Sequence, residues 1–178
     1  MRRISLTRIE VKARPGRRTQ GWLRAGSLGL PVALGRSGIR PNKREGDGGT
    51  PSGSFRPVRL WWRPDRMSRP RTQLPVRSIG GADAWCEDPA DRRYNRPFRR
   101  KSANEPGDRL CRDDHLYDIL IEIDHNTRPR VAGRGSGVFV HVARPGFAPT
   151  AGCVALRLAD LRKLLSRIGP NTRITIHS

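Results

Sequence analysis

The chain has 178 residues, enough for one domain with its own apolar core, since domains commonly run to about 100–150 residues. Its 36 Lys and Arg against 16 Asp and Glu give a formal net charge of +20, which favours an anionic partner such as nucleic acid, lipid headgroups or bacterial cell wall. No segment approaches the roughly 18 apolar residues of a membrane span, and the charged start MRRISLTRIEVKARPGRR lacks the apolar run of roughly 7–15 residues found in a secretory signal, so neither is expected.

The frequency of Gly (19) and Pro (15) predicts many turns and few long helices, hence a mainly β, loop-rich globule. Residues 4–12 (ISLTRIEVK) alternate apolar and polar side chains, and residues 28–34 (LGLPVAL) form a short apolar run bounded by Gly. Both predict strands. Next comes IRPNKREGDGGTPSGSF, whose density of Gly, Pro, Asn and Asp predicts a structured loop before a strand at FRPVRLWW. Residues 63–114 are rich in Arg, Pro, Asp and Asn, with scattered aromatics and no sustained period. They read as a long loop-rich insertion over the sheet, a substrate cap. LYDILIEID (116–124) and SGVFVHVA (136–143) predict the strongest pair of strands and put His141 on the second. RLADLRKLLSRI (157–168) sets Leu158, Leu161, Leu164, Leu165 and Ile168 on one face of an amphipathic helix that Gly169-Pro170 stops. TRITIHS alternates as a closing strand, and residues 1–178 read as a single domain without internal repeats.

Cys86, Cys111 and Cys153 show no metal-ligand spacing, and their odd number leaves at least one thiol free unless chains are linked. A Cys86–Cys111 disulfide is open at this level. A catalytic thiol needs an imidazole to take its proton and N–H groups aimed at the oxyanion that forms. Cys153 alone has such a setting. It lies in PTAGCVAL, where Gly152 permits close approach, ahead of a helix offering its positive N-terminal end, and twelve residues after the strand-borne His141. The plainer alternative is a buried structural cysteine and a structural histidine.

GVFVHVARPGFAPTAGCVAL resembles the active-site segment of L,D-transpeptidases of the YkuD type, in which a strand His precedes a Ser/Thr-x-Gly-Cys turn. GDGGTPSGSF (46–55) is similar to the family's Thr-Pro-x-Gly-x-Phe loop, and RDDHLYDILIEIDHN leading to GRGSGVFVH looks like the family's short bacterial branch. The resemblance implies a YkuD-like β-sandwich or flattened barrel, with Cys153 as nucleophile and His141 as general base. It implies backbone N–H groups around Gly152 and Cys153 as the oxyanion hole, and Thr150 as shaping the turn. The implied reaction is attack on an L,D peptide bond of a peptidoglycan stem, loss of D-alanine and transfer to an acceptor amine, with no metal or organic cofactor. Water as acceptor gives an L,D-carboxypeptidase instead. The implied partners are stem peptides and anionic cell wall rather than nucleic acid, and the implied location is the periplasm. Ala151 and Ala155 replace the family's commoner His and Asn or Arg, which removes a secondary polar contact, and the shorter segment after His141 leaves 3-3 and 1-3 cross-links both open.

Tyr117, Asn126, Arg134 and Ser136 lie on or near the same strands as candidates for binding the stem's carboxylates or amides. Trp61, Trp62 and Trp85 are read as core rather than as stacking platforms. The rival class is a basic nucleic-acid- or wall-binding protein without catalysis, supported by the charge alone.

Overall fold

The computed structural model describes residues 5–178. β1 (Arg8–Arg14), β2 (Arg17–Ala25) and β3 (Leu28–Ala33) form an antiparallel meander with Gly16 and Gly26 at positive φ in its two turns. The first strand begins later than the alternation at 4–12 predicts, and Ile4 lies outside the described residues. The alternation predicts no β2, because its first half is charged and polar and only Gly21, Leu23 and Ala25 turn inward. β4 (Ile39–Arg40) and β5 (Thr50–Pro51) pair in parallel across the predicted Gly-rich loop. β6 (Gly53–Phe55) and β7 (Pro57–Trp62) follow.

The segment expected to be loop contains β8 (Val76–Ser78), β9 (Asp83–Trp85), β10 (Pro97–Arg99) and β11 (Asp108–Arg109), the last three forming a small sheet of order β10-β9-β11. Its elements are too short to show a period. Its Arg and Asp content instead makes local pairs, Arg63 with Asp65, Arg93 with Asp91 and Glu105, and Arg112 with Asp114. β12 (Ile119–Ile123) and β13 (Phe139–Val142) pair antiparallel as predicted, and β14 (Val154–Leu156) runs parallel to β13. α1 (Leu158–Leu165) and β15 (Arg173–His177) complete the chain. Among the described residues no helix is long and apolar enough to cross a membrane.

The large sheet has the order β6-β15-β1-β2-β3-β14-β13-β12-β7-β8. β6 stands at one edge and β7 next to the other, yet only Arg56 separates them in sequence. One residue spans less than about 4 Å, so the sheet must curl until its ends meet. The result is the expected mainly β flattened barrel. Its main core joins Ile9, Val32, Leu60, Ile121, Val140, Val154 and Ile176 to Leu161, Leu164 and Leu165 of α1. A second apolar cluster lies on the opposite face, capped in the packing sense by the small β10-β9-β11 sheet: Trp61, Trp85, Leu110, Tyr117, Leu120, Phe139 and Cys153. Trp61 and Trp85 are core residues there, their indole N–H groups donated to Glu122 and Asn95.

The period of β13 assigns its faces. Val140 and Val142 enter the main core, while Phe139 and His141 face the cap.

Candidate active site

Cys153 precedes β14 by one residue and follows a turn closed by Thr150. The Thr150 hydroxyl donates to the Cys153 carbonyl at 2.7 Å and accepts the Gly152 N–H at 3.1 Å. Gly152 has φ +142°, and a Cβ there would lie 2.8 Å from the Gly49 carbonyl oxygen, so this position requires glycine. On the neighbouring strand, register pairs His141 with Ala155 and Val140 with Val154. Cys153 therefore stands level with Phe139 and on the same face as His141, one diagonal step away.

The Cys153 thiol donates to the Gly137 carbonyl at 3.3 Å and accepts the Phe139 N–H at 3.3 Å. No hydrogen bond among the described residues joins it to His141. His141 Nδ1 meets the Val142 carbonyl at 2.8 Å, which fixes the ring and makes Nδ1 the protonated nitrogen, leaving Nε2 as an acceptor. Both residues are buried, 8% and 6% exposed, at the wall of one cleft of ≈ 330 Å³. Burial pushes the thiol up to about 12 and the imidazole down to about 4. The resting pair is thus neutral thiol and neutral imidazole, because neither charge is solvated.

α1 does not approach the thiol with its positive end. β14 intervenes and carries the chain along the sheet before the helix starts at Leu158. The Gly152 N–H, expected in the oxyanion hole, is held by Thr150 instead. All three cysteines are free, which excludes the Cys86–Cys111 disulfide.

The other candidates divide. Tyr117 and Ser136 line the cleft, but the Tyr117 hydroxyl is donated to Asp108 at 2.8 Å and its ring edge packs on His141 and Phe139. Asn126 and Arg134 lie outside the cleft lining. Asn126 bonds the Val131 and Gly135 carbonyls and the Val131 N–H, closing its own loop, and Arg134 contributes its carbonyl to His125. Their proximity in sequence to the strands reflects this loop closure.

Several cleft residues escape sequence reading. Arg36, Lys43, Arg112 and Arg144 supply cationic groups and Glu45, Glu87 and Asp108 carboxyls around Cys153. Glu87 keeps much of its surface exposed, and partial loss of solvent around its carboxyl, with the neighbouring Asp108 and Glu45, raises it to about 7. Asn95, which the sequence gives no reason to single out, is buried with every polar atom used. Its amide donates to the His125 and Asn126 carbonyls, and its oxygen accepts Trp85 Nε1–H and the Gly137 N–H. It thereby ties the cap to the residue whose carbonyl receives the thiol.

No curated protein sequence matches the chain. Similar solved structures include Bdellovibrio bacteriovorus Bd1075, at 15% identity over 98% of this chain and 50% of that one, with a TM-score of 0.46. They also include an L,D-transpeptidase from Mycobacterium smegmatis, at 12% over 96% and 58%, TM-score 0.42. L,D-transpeptidase 3 of Mycobacterium tuberculosis, solved with a faropenem-derived adduct, aligns at 12% over 96% and 60%, TM-score 0.44. The chain spans between half and three-fifths of the length of these proteins. The family model for the L,D-transpeptidase catalytic domain, YkuD, matches residues 8–176, and the chain belongs to that family.

Proposed function

We propose that the chain is a peptidoglycan L,D-transpeptidase with Cys153 as nucleophile and His141 as its base. The observation that carries this reading is the placement of Cys153 and His141 on one face of adjacent strands, opening to a common cleft, with Nδ1 engaged by the Val142 carbonyl and Nε2 left to accept. Sγ attacks the carbonyl carbon of the donor stem's L,D peptide bond as Nε2 takes the thiol proton. The C–N bond then breaks, and that proton passes to the nitrogen of the departing D-alanine. A thioester remains on Cys153. The amine of an acceptor stem attacks it and gives a proton to Nε2, the C–S bond breaks, and the thiol recovers the proton. Water in place of the amine makes the enzyme an L,D-carboxypeptidase. The cationic side of the cleft suits stem carboxylates and the side with Glu45, Glu87 and Asp108 suits an ammonium group. The substrate assigns the work to the cell envelope, and the cross-link, 3-3 or 1-3, depends on which stem amine enters.

Mass spectrometry of disaccharide-tetrapeptide muropeptides incubated with wild type and Cys153→Ala tests the reading. Wild type is expected to release D-alanine and form dimers, and Cys153→Ala to form neither while keeping its circular dichroism. Trimmed monomers without dimers identify the hydrolase. Turnover by Cys153→Ala would sink the cysteine mechanism, and no product from either folded protein would favour a wall-binding role.

A further inference from the structure

Attack by Cys153 puts negative charge on a carbonyl oxygen, and fixed donors in a site with little water stabilise it. The turn has one donor fewer than its sequence suggests, because the Gly152 N–H is already given to Thr150. Lys43 stands beside this gap. It is only 7% exposed, and it lines the cleft with Gly152 and Cys153. Its Nζ is 3.4 Å from where a Cβ on Gly152 would sit. On its other side, a Cβ on Gly135, at φ +97°, would lie 2.9 Å from Lys43 Cγ. The lysine stem thus passes between two turns that only glycine fits.

Two polar partners orient the ammonium: Asp47 Oδ1 at 2.6 Å and the Arg44 carbonyl at 3.1 Å. An ammonium has three N–H bonds, so one remains. Asp47 is itself held by the Arg44 and Gly49 N–H groups. The ammonium is therefore fixed in advance, and donating to a developing charge requires no reorganisation.

We propose that Lys43 Nζ donates its remaining N–H to the carbonyl oxygen that becomes the oxyanion when Cys153 attacks, supplying the donor that Gly152 withholds. The inference rests on the reading of Cys153 as nucleophile. A lysine that only staples its loop to Asp47 would leave turnover unchanged wherever the fold is kept. A lysine that acts on the thiolate would alter every reaction of Cys153, whether or not an oxyanion forms.

Two rates separate these roles. One is kcat/KM for D-alanine release. The other is alkylation of Cys153 by iodoacetamide, in which sulfur displaces iodide at a CH₂ carbon and no carbonyl oxyanion develops. Lys43→Met keeps the length and apolar stem but removes the donors and the charge. It is expected to lower kcat/KM about 100-fold, the usual scale for one oxyanion donor, with the loss in kcat and with alkylation slowed far less, because the Lys43 charge only modestly favours the thiolate. Lys43→Gln, whose neutral amide retains a donor, is expected to fall between Lys43→Met and wild type, and it carries the same comparison if Lys43→Met does not fold. Undiminished turnover in folded variants overturns the inference, as does alkylation that slows in step with turnover. Wild-type protein that releases no D-alanine overturns the functional reading and this inference with it.

Discussion

At the scale of single residues, burial sets the pH behaviour of the cleft. His141 is driven from an ordinary value near 6.5 to about 4, so as pH falls the unfolded chain takes up this proton first. Its contribution to stability is whole above about 6.5 and is lost as pH drops toward 4. The loss approaches ~3 kcal/mol, from 1.36 kcal/mol per pK unit. Glu87 has the opposite sign: with its value raised to about 7, its contribution is present below 4.5 and fades as pH rises. The two therefore oppose each other between about 4.5 and 6.5, and the His141 part is isolated as the difference between wild type and His141→Gln. Denaturant unfolding from pH 7 to 4 is expected to show the steeper acid loss in wild type; parallel curves would refute it. Lys43 and Glu87 show why such residues evade sequence reading. Charged side chains in a Gly-rich loop or an Arg-rich insertion look like solvated surface, and the cleft between them exists only after folding.

At the scale of elements, the site is a product of register. β13 and β14 are short, but their parallel pairing aligns Cys153 with Phe139 and brings it to the face that carries His141. The strand with His141 and the Gly-Cys turn are legible as patterns, whereas β14 hides inside the motif itself because three residues carry no periodic signal. The cap is held to this pair through Asn95, which spans Trp85, His125, Asn126 and Gly137. Asn95→Ala is expected to cost about 2–4 kcal/mol, since it leaves buried donors and acceptors without partners. It should also lower turnover, because Gly137, whose carbonyl receives the thiol, loses the anchor on its N–H. Urea unfolding together with D-alanine release measures both. A loss of stability with full turnover would mean that the cap is merely attached and does not position the thiol.

At the scale of the whole molecule, a charge of +20 draws the protein to anionic polymers whatever its chemistry. Binding of Cys153→Ala to insoluble sacculi is expected to weaken as salt rises from about 0.01 to 1 M, over which screening shortens from about 30 to 3 Å. Retention at high salt would show that contacts in the cleft, rather than net charge, hold the wall. Tighter, equally salt-sensitive binding to duplex DNA would favour the nucleic-acid reading.

Composition and local pattern determined the strand-rich architecture, the helix around Leu161 and Leu164, and the presence of a strand histidine upstream of a Gly-Cys turn, because these depend on near neighbours in the chain. Closure of the sheet on itself, the cap's small sheet and its hold on Gly137, and the arrival of Lys43 beside Gly152 were decided only in three dimensions. Each of these joins segments whose separation in sequence carries no periodic or compositional trace, so only packing brings them together.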